Sequence, residues 1–403
     1  REYFESQDGL SYLSRETGGL FMHDTNDIGG AMRTVLNDQT GYYLIGYTPS
    51  DATFQELKGK GRAYHKLSVK VQKAGLSVRS RTGFFGVPDQ DSKPVYNTRA
   101  EQMMAALSSP FGTGAVKLRL TALFANNEKV GSFVQSMLHI EARDLTFSDE
   151  PDGWHKAVID LLVVTFSDTG AQMDQTAQTY TVRLKGETYQ AALNHGFVYT
   201  INHAVKKPGA YQLRAAVRDS ATEKVGSASQ FIEVPDVSKG HLTLSGIVVR
   251  ASRPPQAAPA PPSTAPGGAP SATAPASPPE RSKEDTETET LGSPAMRMFH
   301  PGKRLDYALE VLNAQEDQKT RQPDLESQLF LFHDGKQIYA GKPKPVKAEK
   351  ATPDAKNVFT AGQLQLGSSM EPGEYAMQIV VTDKLAREKS RTVAQSIDFE
   401  VVK

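Results

Sequence analysis

The stretch PGAYQLRAAVRD, Pro208 to Asp219, decides how most of this chain is read, because it occurs twice. Pro372 to Asp383 reads PGEYAMQIVVTD, with Pro, Gly, Tyr, Val and Asp returning at the same places. Pro-Gly makes a turn, Tyr and the alternating apolar residues after it give one core-facing side, and the final Asp starts a loop. Each copy then leads through a polar turn into a last strand, Gln230 to Val234 and Asp398 to Val401. A repeated closing hairpin of this kind predicts two sandwiches of the immunoglobulin or fibronectin class.

Working outward from the first copy, Ala157 to Phe166 is apolar on both faces apart from Asp160, which predicts a central sandwich strand. Val116, Leu118, Leu120 and Ala122 alternate with Lys117, Arg119 and Thr121. Leu138, Ile140 and Ala142 alternate with His139 and Glu141. Both are half-buried strands by their period of two. Upstream, Thr98-Arg-Ala-Glu101 is a capping box that opens a short helix through Met104 and Leu107.

Before the second copy, residues 251–292 are rich in Pro, Ala, Ser and Gly and then in charge, a composition that predicts disorder. His241 to Arg250 is strand-like before the tract, and strands resume at Met296 after it. The tract is therefore an insertion in the last domain or a tether between domains. The insertion is preferred, since a tether leaves a lone strand beyond a closed hairpin.

The first 87 residues follow another pattern. Leu10, Tyr12 and Leu13 form an apolar stripe on a helix that Gly18-Gly19 ends. Leu20 to His23 predicts a short strand. Asp24, Thr25 and Asn26 offer caps to a helix with Ile28, Met32, Val35 and Leu36 on one face. Gly41 to Ser50, GYYLIGYTPS, has no polar residue from Tyr42 to Tyr47, as in a parallel strand covered on both faces. Further strands are predicted over His65–Val71 and Leu76–Arg81.

These motifs in order, Leu13-Ser-Arg-Glu-Thr-Gly-Gly19, Asn26-Asp-Ile28 with Ala31-Met32, Tyr42 to Pro49, and His65 to Phe84, resemble the C-terminal half of a von Willebrand factor A-related domain of the acidobacterial exported type. The resemblance implies a doubly wound α/β sheet and an extracytoplasmic, bacterial location. The family's metal-ion-dependent adhesion site uses Asp-x-Ser-x-Ser and further Thr and Asp ligands, an oxygen cage for Mg²⁺. No Asp-x-Ser-x-Ser occurs in this chain, so no residue here is assigned to that site. The chain opens at Arg1 without a methionine and reads as a fragment or processed product, with any Mg²⁺ site expected upstream. No cofactor is expected within the chain itself.

The expected architecture is thus multidomain, a partial α/β domain plus two all-β immunoglobulin- or fibronectin-like sandwiches. Residues 1–87 are the A-related part, 88–112 a linker with a short helix, 113–237 the first sandwich, and 238–403 the second, interrupted by 251–292.

Lys+Arg and Asp+Glu both number 46, so no net field favours nucleic acid. There are no cysteines, which excludes disulfide and thiolate chemistry. No apolar run reaches the roughly 18 residues of a membrane span. His195 and His203 share parity if they lie on one strand, but ordinary packing is the simpler reading than zinc. Gly59-Lys-Gly61 reads as a turn rather than a phosphate loop. Asp149, Glu150 and Asp152 crowd one turn, where a solvated tip is the plainer alternative to weak Ca²⁺ binding. Trp154 follows them, as a packing residue or a partner anchor. These four residues form the candidate partner-binding loop. The expected function is a non-catalytic, adhesion-type interaction protein with a protein partner. The alternative is an accessory region of a secreted enzyme whose catalytic domain precedes Arg1.

Overall fold

The computed structural model describes residues 2–22, 27–39, 43–47, 49–50, 53, 63–72, 75–86, 96–109, 114–127, 129–205, 207–252, 291–346 and 356–403. They form two units, Arg1–Asn97 and Thr98–Lys403. No described helix is long and apolar enough to cross a membrane.

In the first unit, helix α1 (Glu2–Thr17) stops where Gly18 takes φ 73° and Gly19 N–H donates to Ser14 O at 2.7 Å. Glycine tolerates this left-handed turn without a Cβ clash. Helix α2 (Ile28–Gln39) is capped by Asp27, whose Oδ1 accepts the Gly30 N–H at 2.7 Å. The proposed caps Asp24, Thr25 and Asn26 lie outside the described residues. Strands β1 (Tyr64–Lys66) and β2 (Gly83–Phe85) pair antiparallel.

Here the structure departs from the sequence reading. Tyr43 to Tyr47 forms no strand, and Tyr43 and Ile45 are 92% and 79% exposed. Leu20 to Met22 is not a strand either, the strand expected over 65–71 shrinks to β1, and 76–81 forms none, its place in the ladder taken by β2 just beyond it. A run apolar on both faces becomes a strand only when neighbours pair its edges and cover its faces. Among the described residues nothing pairs with Tyr43–Tyr47, and the doubly wound sheet is not seen.

The second unit begins with helix α3 (Arg99–Ser108). Its capping box is complete: Glu101 N–H donates to Thr98 Oγ1 at 3.2 Å, and Thr98 N–H to Glu101 Oε2 at 3.1 Å. Met103, Ala106 and Leu107 pack on Leu162, Val164 and Ala216. Strand β6 (Trp154–Ser167) therefore has two apolar faces. Ile159, Leu161 and Val163 face the sandwich interior, and the alternate residues lie under α3.

The first sandwich packs two sheets. One is β3 (Leu118–Asn127), β4 (Gly131–Ile140) and β8 (Phe197–Ala204) in spatial order 3-4-8. The other centres on β6, flanked by β7 (Gln172–Lys185) on one side. On the other side lie first β5 (Ser148–Glu150), then β9 (Gly209–Asp219) backed by β10 (Val225–Val234). Helix α4 (Gly186–His195) joins β7 to β8.

The second sandwich pairs β14 (Arg304–Leu312) with β11 (Thr243–Leu244), β12 (Val248–Ala251) and β18 (Val358–Gln365). Its other sheet runs β13 (Met298–Phe299), β20 (Thr392–Val401), β19 (Gly373–Asp383), β15 (Leu325–His333), β16 (Lys336–Ala340), with β17 (Lys344–Pro345) beside β15. Residues 253–290 lie outside the described residues. The strand before them, β12, pairs with β14 after them, Ala251 opposite Leu305, and Ala251 N–H donates to Gly292 O at 2.7 Å.

The repeat noted in the sequence has one structure in both places. In each Pro-Gly turn the glycine takes a φ that side-chain-bearing residues rarely adopt, 147° at Gly209 and 152° at Gly373. Tyr211 Oη donates to Lys207 O at 2.6 Å and Tyr375 Oη to Glu371 O at 2.8 Å, the tyrosine-corner arrangement. Asp219 and Asp383 are fully buried and accept backbone N–H groups of their loops, from Thr222 and Leu385.

The sandwiches are joined by buried contacts. Leu312 of the second belongs to the apolar core of the first, while Leu123 packs on the core of the second. Gly246 N–H donates to Phe124 O at 2.7 Å, and a Cβ at Gly246 would stand 2.8 Å from that of Leu123. Arg297, 4% exposed and at φ 53°, holds the joint. Its Nη1 donates to Thr121 Oγ1 at 2.5 Å, Nε to Asp398 O at 2.7 Å, and Nη2 to Asp398 Oδ2 at 3.0 Å. Thr121 Oγ1 in turn donates to Ala295 O at 3.0 Å. Thr121, expected on an outward face, is therefore 1% exposed. The alternation along β3 is correct, but its outer face is covered by the next domain.

Candidate functional site

The β5–β6 hairpin carries the four residues singled out above. Pro151 fixes the turn, and Asp152 and Gly153 take left-handed φ of 65° and 75°. The pairing register then sets Trp154 opposite Lys185 and Lys156 opposite Arg183 of β7. As a result Asp149 and Glu150 each meet a different basic side chain. Asp149 Oδ1 is 2.7 Å from His155 Nδ1, while Glu150 meets Arg183 Nε at 2.8 Å and Lys156 Nζ at 3.6 Å. The Trp154 ring lies 5.2 Å from the Arg183 guanidinium and 5.8 Å from Lys185 Nζ, within cation–π range. His155 stacks on Tyr189 of α4 at 3.7 Å, with Phe147 edge-on to the same ring.

The structure thus brings Asp149, Glu150 and Trp154 onto one hairpin but turns the carboxylates to different partners, with Asp152 exposed at the tip. Among the described residues no three His, Asp or Glu side chains group as a metal cage. What the hairpin presents is an aromatic surface edged by charges of both signs, suited to a polar protein surface. Sequence reasoning missed His155, Lys156, Arg183, Lys185 and Tyr189. The β6–β7 register brings in Arg183 and Lys185 and helix α4 brings in Tyr189, and that register is not written in either strand alone.

The histidine pair resolves differently from its parity reading. His195 ends helix α4, and its carbonyl accepts the Nε2–H of buried His139 at 2.7 Å. His203 is buried on β8 with Nδ1 3.8 Å from Asp174, and its Nε2 has no partner among the described residues. Burial pushes the His203 pKa down, with Asp174 opposing. The two do not lie on one strand. Gly59-Lys-Gly61 lies outside the described residues.

A groove of about 420 Å³ opens at the joint between the sandwiches. Its walls are β3 with β10 on one side and β20 on the other, with Leu242 and Leu244 among its apolar lining. Gln230 of β10 caps the backbone of β3 there, accepting from Ala122 N–H at 2.7 Å and donating to Ala122 O at 3.0 Å.

No protein-family model matches the chain, and no curated protein sequence matches it. Among solved structures, a calcium-binding mutant of Bacteroides uniformis β-glucuronidase 2 is similar over 34% of this chain and 14% of its own, at 13% identity and TM-score 0.18. A tetra-tandem repeat from the extending region of a large adhesion protein is similar over 71% of this chain and 50% of its own, at 8% identity and TM-score 0.19. The B domain of a biofilm-associated protein is similar over 70% of this chain and 85% of its own, at 7% identity and TM-score 0.21. The chain thus spans half or less of the first two, and similarities this low leave the two sandwiches to be described from their own strand order.

Proposed function

We propose that this chain is a non-catalytic, extracytoplasmic bacterial protein of adhesion type, binding a protein partner through its sandwiches. In this reading residues 1–87 are related to the C-terminal half of a von Willebrand A domain, and 113–237 and 238–403 are immunoglobulin-like. The chain itself carries no cofactor. The observation that supports the reading is the joint at Arg297. A guanidinium buried between Thr121 and Asp398 holds two sandwiches in one orientation. Domain motion is the default for linked domains unless the interface is built to stop it. A fixed display surface has use for such a lock, whereas a catalytic cleft that closes on substrate does not.

On this reading the Asp149–Trp154 hairpin is the first surface to test. A photo-cross-linking residue in place of Asp152, in the full chain presented to bacterial envelope proteins, is expected to give a discrete adduct that Trp154→Ala abolishes. An adduct unchanged by Trp154→Ala, or no adduct beyond that of a control label at exposed Lys336, would contradict it.

A further inference from the structure

Strand β20 has one edge fully paired, with β19 from Gly373 to Thr382 of that strand on. On its other edge β13 reaches only Glu400 and Val401, where Glu400 N–H and Val402 N–H donate to Arg297 O and Phe299 O at 2.9 Å each. Backbone groups alternate sides along a strand with a period of two. The N–H and C=O of Asp398, Ser396 and Ala394 therefore point the same way as those of Glu400. Asp398 O is taken by Arg297 Nε. Among the described residues, no strand and no backbone group pairs with Ser396 or Ala394 on that side. Both residues are exposed and line the groove.

Sheet edges left open in natural proteins are guarded by lysine, proline, bulges or covering side chains, because an open edge templates strand addition. The segment Thr392 to Ile397, TVAQSI, has no charged residue and no proline. Across the groove β3 shows a guarded edge, with Gln230 bonded to both backbone groups of Ala122. One wall is closed and the other is open.

We propose that the open edge of β20 at Ala394–Ser396 takes an extended peptide segment of a partner protein by strand addition. The guest is apolar at alternate positions and lacks acidic residues. Free N–H and C=O groups at a two-residue spacing specify extended backbone, as in other β-augmentation sites. Phe231, 64% exposed in the groove, supplies an apolar surface for alternate guest side chains, while Leu242 and Leu244 at the groove lining are 6% and 5% exposed. Exposed Glu233 on the same wall disfavours an acidic guest. A second copy would have to bring the edge of a whole sheet into a groove of about 420 Å³ walled by β3 and β10, whereas an extended segment brings a single strand. The inference rests on the chain being a binding protein, but uses a surface separate from the hairpin.

The test is selection of random seven-residue peptides, displayed on phage, against the full chain. The winning synthetic peptide is then followed by amide hydrogen exchange. The selected sequences are expected to alternate apolar residues and to lack Asp and Glu. Binding is expected to slow exchange at Ala394 and Ser396, and Ser396→Pro to weaken it at least about tenfold, since proline removes the donor and fills the lane. Should that variant unfold, Phe231→Ala carries the test through the same weakening. Failure to select any peptide would overturn the proposal. So would protection of Ala394 and Ser396 that grows with protein concentration in the absence of peptide, which assigns the edge to a second copy. Peptides that protect residues 148–154 instead would also overturn it while leaving the binding-protein reading in place. Peptides bound at β20 with no cross-link from position 152 would remove the hairpin and leave this site.

Discussion

Arg218 and Asp160 stand directly opposite each other on β9 and β6, Nη1 to Oδ2 3.3 Å, with side chains 9% and 5% exposed. Asp160 is the one charged residue between Ala157 and Phe166 of the central strand, and it is also the hub that fastens α3 to the sheet. Its Oδ1 accepts from Arg99 Nη1 at 2.8 Å and Thr179 Oγ1 at 2.7 Å, and Arg218 Nε reaches Gln102 of α3 at 2.7 Å. Removing Asp160 leaves buried Arg218 with Glu223 alone as counter-charge, Nη2 to Oε1 2.6 Å, and that carboxylate is itself 62% exposed. Asp160→Ala is expected to cost about 1.5–3 kcal/mol, read by urea unfolding, and Asp160→Leu with Arg218→Met less. Equal losses for the two variants would show that the pair is not what holds this face.

The two tyrosine corners make equivalent hydrogen bonds, so they predict equivalent losses. Tyr211→Phe and Tyr375→Phe are each expected to cost about 1 kcal/mol. They lie on different sandwiches and share no partner, so the double variant should show the sum of the two. Unfolding curves for the three variants check this. A loss confined to one tyrosine would mean that the repeat is one of sequence only.

His203 supplies a pH dependence. Burial holds its folded pKa below the ordinary 6.5, so the unfolded chain binds the proton more readily. Stability attributable to this group is complete above about pH 7 and is lost as the pH falls through 6.5 toward the depressed folded value. His203→Leu should flatten the stability profile on that acid side. An unchanged slope in the variant would place the titration elsewhere.

Arg297 should resist conservative replacement. Arg297→Ala removes charge-assisted bonds to Thr121 and Asp398 and is expected to cost at least about 2 kcal/mol. Lysine cannot reproduce the planar fork, so Arg297→Lys is expected to recover little of it. Denaturation of the two variants checks the ranking. Full recovery with lysine would show that charge alone is enough at the joint.

What could be read in the sequence was local or repeated. The capping box at Thr98, the both-faced strand Ala157–Phe166 and the Pro-Gly-x-Tyr repeat depend on neighbours along the chain, and each appears in the structure. What could not be read depends on register or on another domain. Thr121 has the pattern of an outward residue, and only Arg297 and Ala295, far along the chain, bury it. Trp154 was legible as an aromatic beside acids, but its cations come from β7 through pairing. Helix α4 was missed, though Gly196 at φ 67° after His195 is a stop that its sequence offers. Tyr43–Tyr47 misled in the opposite direction, because apolarity on both faces predicts a strand only if other strands are there to receive it.

The central claim is that the two sandwiches form one fixed body. Amide residual dipolar couplings on the full chain test it most directly, because they report the orientation of each sandwich independently of contacts. A single alignment tensor that fits the strands of 113–237 and 238–403 together, in the orientation set by Arg297, is the result predicted. Two tensors of clearly different magnitude would contradict the account, for they would mean that the sandwiches reorient and that no joint fixes their surfaces.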